Sequence, residues 1–325
     1  MSSHLSIWKP VRPLPLTIFL LLSAPLWAQT AARQALATFP ADSQQIAYIG
    51  LAQLRTMREY PQFGQQLFLR QLLEFQDFLR LAGMNPEKEI DDLVLGWRGE
   101  LLGGGGFFGL AEGRFDTDRL RRFFVQQQLP IREYSGCELY AFGTGGNLPY
   151  IYFAFLSSST AVFGRRHDLR ALLDVQEGVR PPLETNPTFT NWMAELEGTS
   201  PQWGVSIGRA AINHAAPWLA AGARLVLDPY AFAGSVRAVL YRIDWGSVST
   251  THVSVVCASP ESASALSALL NLWRDSNVES TFNRFPPSIA TMLASMEIES
   301  DGDRIVLISS APLEVIGQMI GGTAR

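Results

Sequence analysis

The sequence predicts an α+β fold: two pseudo-repeated units of mainly antiparallel sheet, with helices packed on one face. Three observations predict it. Short segments of alternating apolar and polar residues recur and are joined by hairpin signals, Ser135-Gly136 and Asp301-Gly302, the pattern of antiparallel strands. Several strands feed segments with a capping residue and apolar spacing i, i+3, i+4, the mark of a half-buried helix. The same order of strands and helices is written twice along the chain.

In the first half a strand at residues 45–51 leads into helical sequence from Ala52, with Pro61 in a first-turn position. Leu69, Leu72, Leu73 and Leu79 keep to one helical face, Gly83 stops that helix and Asn85-Pro86 punctuates the turn. Strands follow at 92–97 and 107–113. Asp116 is the N-cap of a helix whose Leu120, Phe123 and Phe124 share a face. After the Ser135-Gly136 hairpin, strands at 150–156 and 160–164 precede a helix carrying Leu169, Leu172 and Leu173.

The second half opens with a strand at 203–208 and a helical stretch at 209–221, with Ile212 and Leu219 among its apolar residues. Strands at 236–243 and 248–257 flank a turn at Asp244-Trp245-Gly246. Ser259 caps a helix with Pro260 at its first position and Leu266, Leu269, Leu270 and Trp273 as its stripe. A hairpin joins strands at 296–299 and 304–308, and a final helix carries Leu313, Ile316 and Ile320. Residues 107–124 thus match 248–270, and 160–173 match 304–320, in pattern more than in identity. Pro181-Pro182 and Asn186-Pro187 mark the boundary, giving units at 29–180 and 181–325.

Residues 1–28 read as an export leader. Lys9 and Arg12 precede an apolar run from residue 14 to 27, broken by Pro15 and Pro25, and Ala28 offers a small residue at its end. The run is shorter than the roughly 20 residues a membrane span needs; only an uncleaved leader would tie the chain to a membrane. No cysteine near the cut could carry a lipid, since the first is Cys137. The expected location is the periplasm or the exterior. Of 325 residues, 47% are hydrophobic and 17% charged, with 26 basic and 30 acidic side chains. That composition excludes a disordered chain and a disulfide scaffold, and the lack of basic excess argues against nucleic acid as a partner. Cys137 and Cys257 could pair in an oxidising compartment. Cys257 alternates with Val253 and Val255, which favours a buried free thiol.

Candidate sites are sparse. Gly204-Val205-Ser206-Ile207-Gly208 matches the G-x-S-x-G nucleophile elbow, which needs a serine on a sharp strand-to-helix turn with a base and an oxyanion hole beside it. His252 is the base that chain order allows, with Asp228 or Asp244 as the acid; His214 lies too close to the serine. The Gly103-Gly104-Gly105-Gly106 run could donate backbone amides, but Leu102 stands where the accompanying histidine belongs. His252 also sits in an ordinary alternating strand, so Ser206, His252 and Asp228 make only an alternative to a non-catalytic reading. Gly104-x-Gly106-x-x-Gly109 fits a dinucleotide fingerprint by letters, yet strand continues after it where a helix is required. His167, His214 and His252 lack metal-ligand spacing, and His167-Asp168 reads as a helix start. No cofactor and no metal are expected.

Residues 150–156 are apolar on both faces, Tyr152, Ala154 and Leu156 on one and Ile151, Phe153 and Phe155 on the other. Both faces must therefore be covered, by the other half of the chain, by an apolar ligand or by a partner protein.

Three blocks together carry a resemblance: residues 42–51, the Gly83-Met84-Asn85-Pro86 block running to Asp92, and Glu112-Gly113-Arg114-Phe115-Asp116. With them the chain resembles a family of exported bacterial proteins without assigned activity, each built from two similar α+β halves. The resemblance implies a fold and a compartment and carries no catalytic residues. The reading that results is an exported cell-envelope protein, a non-enzymatic binding or scaffold module. The alternatives are a secreted serine hydrolase using Ser206, or a carrier of an apolar ligand held near Tyr152, Phe153 and Phe155.

Overall fold

A computed structural model describes residues 28–64, 76, 79–99, 106–142, 151–196, 198–213, 234–281 and 294–312. Its centre is a strand with no polar face. β1 (Gln45–Ile49) is buried at all five positions, so both of its sides must be covered. It is preceded by α1 (Ala28–Thr38) and followed by α2 (Leu51–Arg55) and α3 (Tyr60–Phe63), the last with proline in its first turn. Helical backbone before Gly83 ends as the sequence predicts: Gly83 takes φ +79° and the Met84 amide reaches back to the Leu79 carbonyl at 2.9 Å.

The first half continues with α4 (Pro86–Glu89), β2 (Ile90–Arg98), β3 (Gly106–Gly113) and α5 (Thr117–Gln126). Asp116 caps α5, its Oδ1 accepting from the Arg119 amide at 2.9 Å. An Asp116→Ala chain should lose about 1 kcal/mol of stability, read as a lower denaturant midpoint at constant slope. β4 (Ile131–Tyr134) and β5 (Cys137–Phe142) form the expected hairpin. Ser135 and Gly136 both take positive φ, 48° and 73°, the two left-handed positions of a type I′ turn. β6 (Ile151–Phe155), β7 (Thr160–Arg165) and α6 (Arg166–Gln176) complete this half.

The second half has α7 (Pro187–Leu196), β8 (Gln202–Ile207), helical residues 208–213, β9 (Val236–Asp244) and β10 (Val248–Cys257). The Ser259 hydroxyl accepts from the Ser262 amide at 3.2 Å and opens α8 (Pro260–Thr281). β11 (Glu297–Asp301) and β12 (Arg304–Pro312) form the last hairpin. Leu219 and the helix expected at Leu313, Ile316 and Ile320 lie outside the described residues, as do Leu69, Leu72 and Leu73.

All described strands join one antiparallel sheet of twelve, in the order β11-β12-β10-β9-β8-β1-β2-β3-β7-β6-β5-β4. The halves therefore share a sheet, and β1 and β8 are the strands that join them. Tyr48 stands directly opposite Trp203, and Gln45 opposite Ser206. The outer edges, β4 and β11, carry Arg132 and Glu133, and Glu297, Glu299 and Asp301, charges that discourage pairing with another chain.

Helices lie on both faces of this sheet, not on one as the sequence suggested. Alternate residues of a strand go to different cores. Ile46, Tyr48, Val94, Trp203 and Leu240 pack with residues of α1, α6 and α7. Ala47, Ile49, Leu93 and Phe163 pack on the opposite side with residues of α2 and α5. Farther along that side, Val239, Val255 and Ile305 pack under α8. α1 is missing from the sequence reading because its buried face is Ala31, Ala32 and Ala35, residues that let a helix approach closely without a strong apolar stripe. The proline-rich connector is itself packed. Leu183 is fully buried, its amide reaches the Phe39 carbonyl at 2.7 Å, and the Ala41 amide reaches Pro181 at 3.0 Å.

Candidate functional site

Ser206 and His252 do not meet. Ser206 is buried inside β8, with Gln45 opposite it on one side and Val239 on the other. His252 lies on β10 opposite Arg242, which in turn stands opposite Trp203. Directly opposed side chains share a face, so His252 is on the Trp203 face and Ser206 on the other. Two strand spacings and three residues of offset also separate them by roughly 14 Å within the sheet. The serine is thus one residue inside a paired strand instead of on an exposed turn. Asp228 and His214 lie outside the described residues. The acid beside His252 is Asp244, whose Oδ2 is 3.2 Å from Nε2 and 3.7 Å from Arg242 Nε.

The glycine pattern at 104–109 is placed only in part. Gly106 and Gly109 sit in β3, which runs on to Gly113 as strand, so these glycines present no helix N-terminus. Cys137 on β5 and Cys257 on β10 are free thiols separated by eight strand spacings, roughly 40 Å. Burial pushes the Cys257 thiol upward in pKa, as expected for a core cysteine. Among the described residues, no three His, Cys, Asp or Glu side chains converge as metal ligands. Among them too, no helix is long and apolar enough to cross a membrane.

Among the described residues, β6 is covered on both faces by elements of its own half of the chain. Tyr152 and Ala154 join the core that holds Leu169, Leu172 and Leu173 of α6. Phe153 stacks on Tyr140 at 5.3 Å and meets the edge of Phe124 of α5 at 5.9 Å. A cavity of about 10 Å³ is lined by Leu79, Met84, Phe115, Phe153, Phe155 and Phe163. That is room for about one water, far below the volume of a lipid chain.

Two polar constellations escaped the sequence reading. The first is a carboxyl pair on the face covered by α1. Asp92 on β2 stands directly opposite Glu112 on β3, each two residues from a core member of that face, Val94 and Leu110. Tyr48 donates its hydroxyl to Asp92 Oδ1 at 2.7 Å, and its ring stacks on Trp203 at 5.3 Å. Burial pushes Glu112 up to about 7, with the charge of Asp92 adding to the shift. Burial also raises Asp92, against the opposing pull of the Tyr48 hydrogen bond. Burial and Asp92 together raise the Tyr48 hydroxyl. So placed, Glu112 keeps its proton to near neutral pH. The only local signal was a polar residue on an otherwise apolar strand face.

The second constellation ties β2 to α6. Asp168, at the helix start that the sequence predicts, is fully buried. Its Oδ1 accepts from Arg98 Nη2 at 2.7 Å, and Oδ2 lies 3.2 Å from Nε2 of the exposed His167 without hydrogen-bond geometry. Arg98 also reaches Asp42 at 3.4 Å. The pairing clamps the end of a central strand to the first turn of a helix.

Comparison of the chain with protein-family models, with curated proteins and with solved structures finds no match.

Proposed function

We propose that the chain is an exported cell-envelope protein that binds or scaffolds a partner, built from two pseudo-repeated α+β units at 29–180 and 181–325. The observation that supports this most is the order of strands about the β1–β8 pair. Reading outward on one side gives β1, β2, β3, β7, β6; on the other it gives β8, β9, β10, β12, β11. Each position matches in chain order, with the hairpin partner β4–β5 added outside the first unit. A helix precedes β1 and β8 alike, and helical residues follow each at once. The helix after β3 and the helix after β10 both pack on the face opposite Trp203. This order is what a pseudo-twofold axis normal to the sheet, between β1 and β8, would produce, as the two-halved exported family that the sequence resembles implies.

Such a slab spends its polar side chains on holding itself together. The described candidates for chemistry are a serine buried in a strand, a histidine paired with Asp244, and carboxyls engaged with Tyr48 or Arg98. Localisation and activity test the reading together. Expressed with its leader in a bacterium, the protein should be recovered from the envelope or medium, shortened by residues 1–28 on intact-mass analysis. Hydrolysis of a short-chain nitrophenyl ester should equal that of a Ser206→Ala variant. Full-length chain confined to the cytosol would overturn the location, and ester hydrolysis abolished by Ser206→Ala would overturn the non-enzymatic assignment.

A further inference from the structure

We propose that the Asp92–Glu112 pair is a pH-sensitive latch beneath α1: holding a proton, it seats the helix on β2 and β3, and ionised, it loosens that seat. The geometry carries the idea. α1 lies across β2 and β3, the two strands that bear the pair, and Asp92 is only 7% exposed. Two like charges directly opposite on neighbouring strands repel, more so away from water.

Among the described residues, the counter-charge that pulls on the pair is Arg55 of α2, and burial outweighs its pull on Asp92. α1 has one charged residue, Arg33, and it points to the exposed side; its buried face is Ala31, Ala32 and Ala35. β1 brings Tyr48, and β7 brings Thr160 opposite Glu112. Asp91, beside Asp92, takes Arg55 of α2 at 2.7 Å, and the same guanidinium serves the Glu87 and Ile90 carbonyls. Arg114, two residues from Glu112, donates to the Lys88 carbonyl, and Glu89 accepts from the Asn85 amide. α6, packed on β3 and β7, carries Arg166, His167, Asp168, Arg170 and Asp174. Asp168 is bound to Arg98, Arg170 lies over the Tyr134 ring, and Asp174 takes the Tyr134 hydroxyl.

The sign follows from the direction of the shifts. Folding raises both carboxyls above their ordinary values, so the native state holds protons that the unfolded chain gives up. The stabilisation is complete below the ordinary carboxyl pKa and is lost as pH rises, for Glu112 through about 7. Amide hydrogen exchange of residues 31–38 in the whole protein, corrected for the intrinsic effect of pH, reads the latch. Between pH 5.5 and 8, opening of α1 should rise about tenfold in the wild type and stay nearly flat in Glu112→Gln. No rise in the wild type, or an equal rise in the variant, would overturn the proposal. Should Glu112→Gln fold poorly, a carbon-13 titration of the wild-type Glu112 carboxyl decides. A midpoint near neutrality supports the latch, and one in the ordinary carboxylate range sinks it.

Discussion

An Arg98→Met chain should lose about 3–5 kcal/mol of folding stability, because it strands a carboxylate in the core. Asp168 has no exposed surface, and its short bond is to Arg98. The reverse change should cost less. With Asp168→Asn, Arg98 keeps a partly exposed path to Asp42, and the amide oxygen can still accept from the guanidinium; about 1–3 kcal/mol is expected. Replacing both, as Arg98→Met with Asp168→Leu, should recover more than half of the Arg98→Met loss, since no charge is then left without a partner. Denaturant midpoints of the four chains, compared at constant slope, check the ordering. Equal losses for the two single changes would mean that Asp168 is solvated in the native state.

Trp203→Ala should cost a similar amount, about 3–5 kcal/mol, and for a different reason. Trp203 is 1% exposed, sits on the strand that joins the two halves, and stacks at 5.3 Å on Tyr48, the residue opposite it on β1. Its removal opens a cavity at the seam and forfeits the ring contact, itself worth about 0.5–1.5 kcal/mol. Trp203→Phe keeps a ring there and should lose less. Because the seam belongs to both halves, probes placed in either should report the same shifted transition. A shift confined to the second half would argue that the halves unfold independently.

The strands were legible because their cause is local. Alternation marked residues 248–257, and positive-φ turns needed Gly136 and Gly302 where the sequence has them. Asp116 and Ser259 announced their helices by being able to accept from an amide three residues on. Pro187 misled in a specific way. A proline after Asn186 reads as a linker, yet proline is also a first-turn residue, and the Phe189 amide reaches Asn186 Oδ1 at 3.4 Å, so α7 begins there. Helices on both faces could have been foreseen from the unbroken apolar runs in β1 and β7, which have no side suited to water.

The polar constellations were not legible, since their partners are distant in sequence. Asp92 meets Glu112 only when β2 and β3 take their register, and Arg98 meets Asp168 only when α6 folds back on that sheet. The opposite failure is Ser206. Five letters matched a motif whose chemistry needs an exposed turn, and pairing on both sides of the strand removed that exposure.

Hydrogen exchange on the β1–β8 seam tests the architecture most directly. If one sheet runs through both halves, amides of Gln45–Ile49 and Gln202–Ile207 are among the slowest in the protein and open together, with the same free energy and the same response to denaturant. Fast exchange in either strand, or protection of one that outlasts loss of the other, would mean that the two halves are separate sheets.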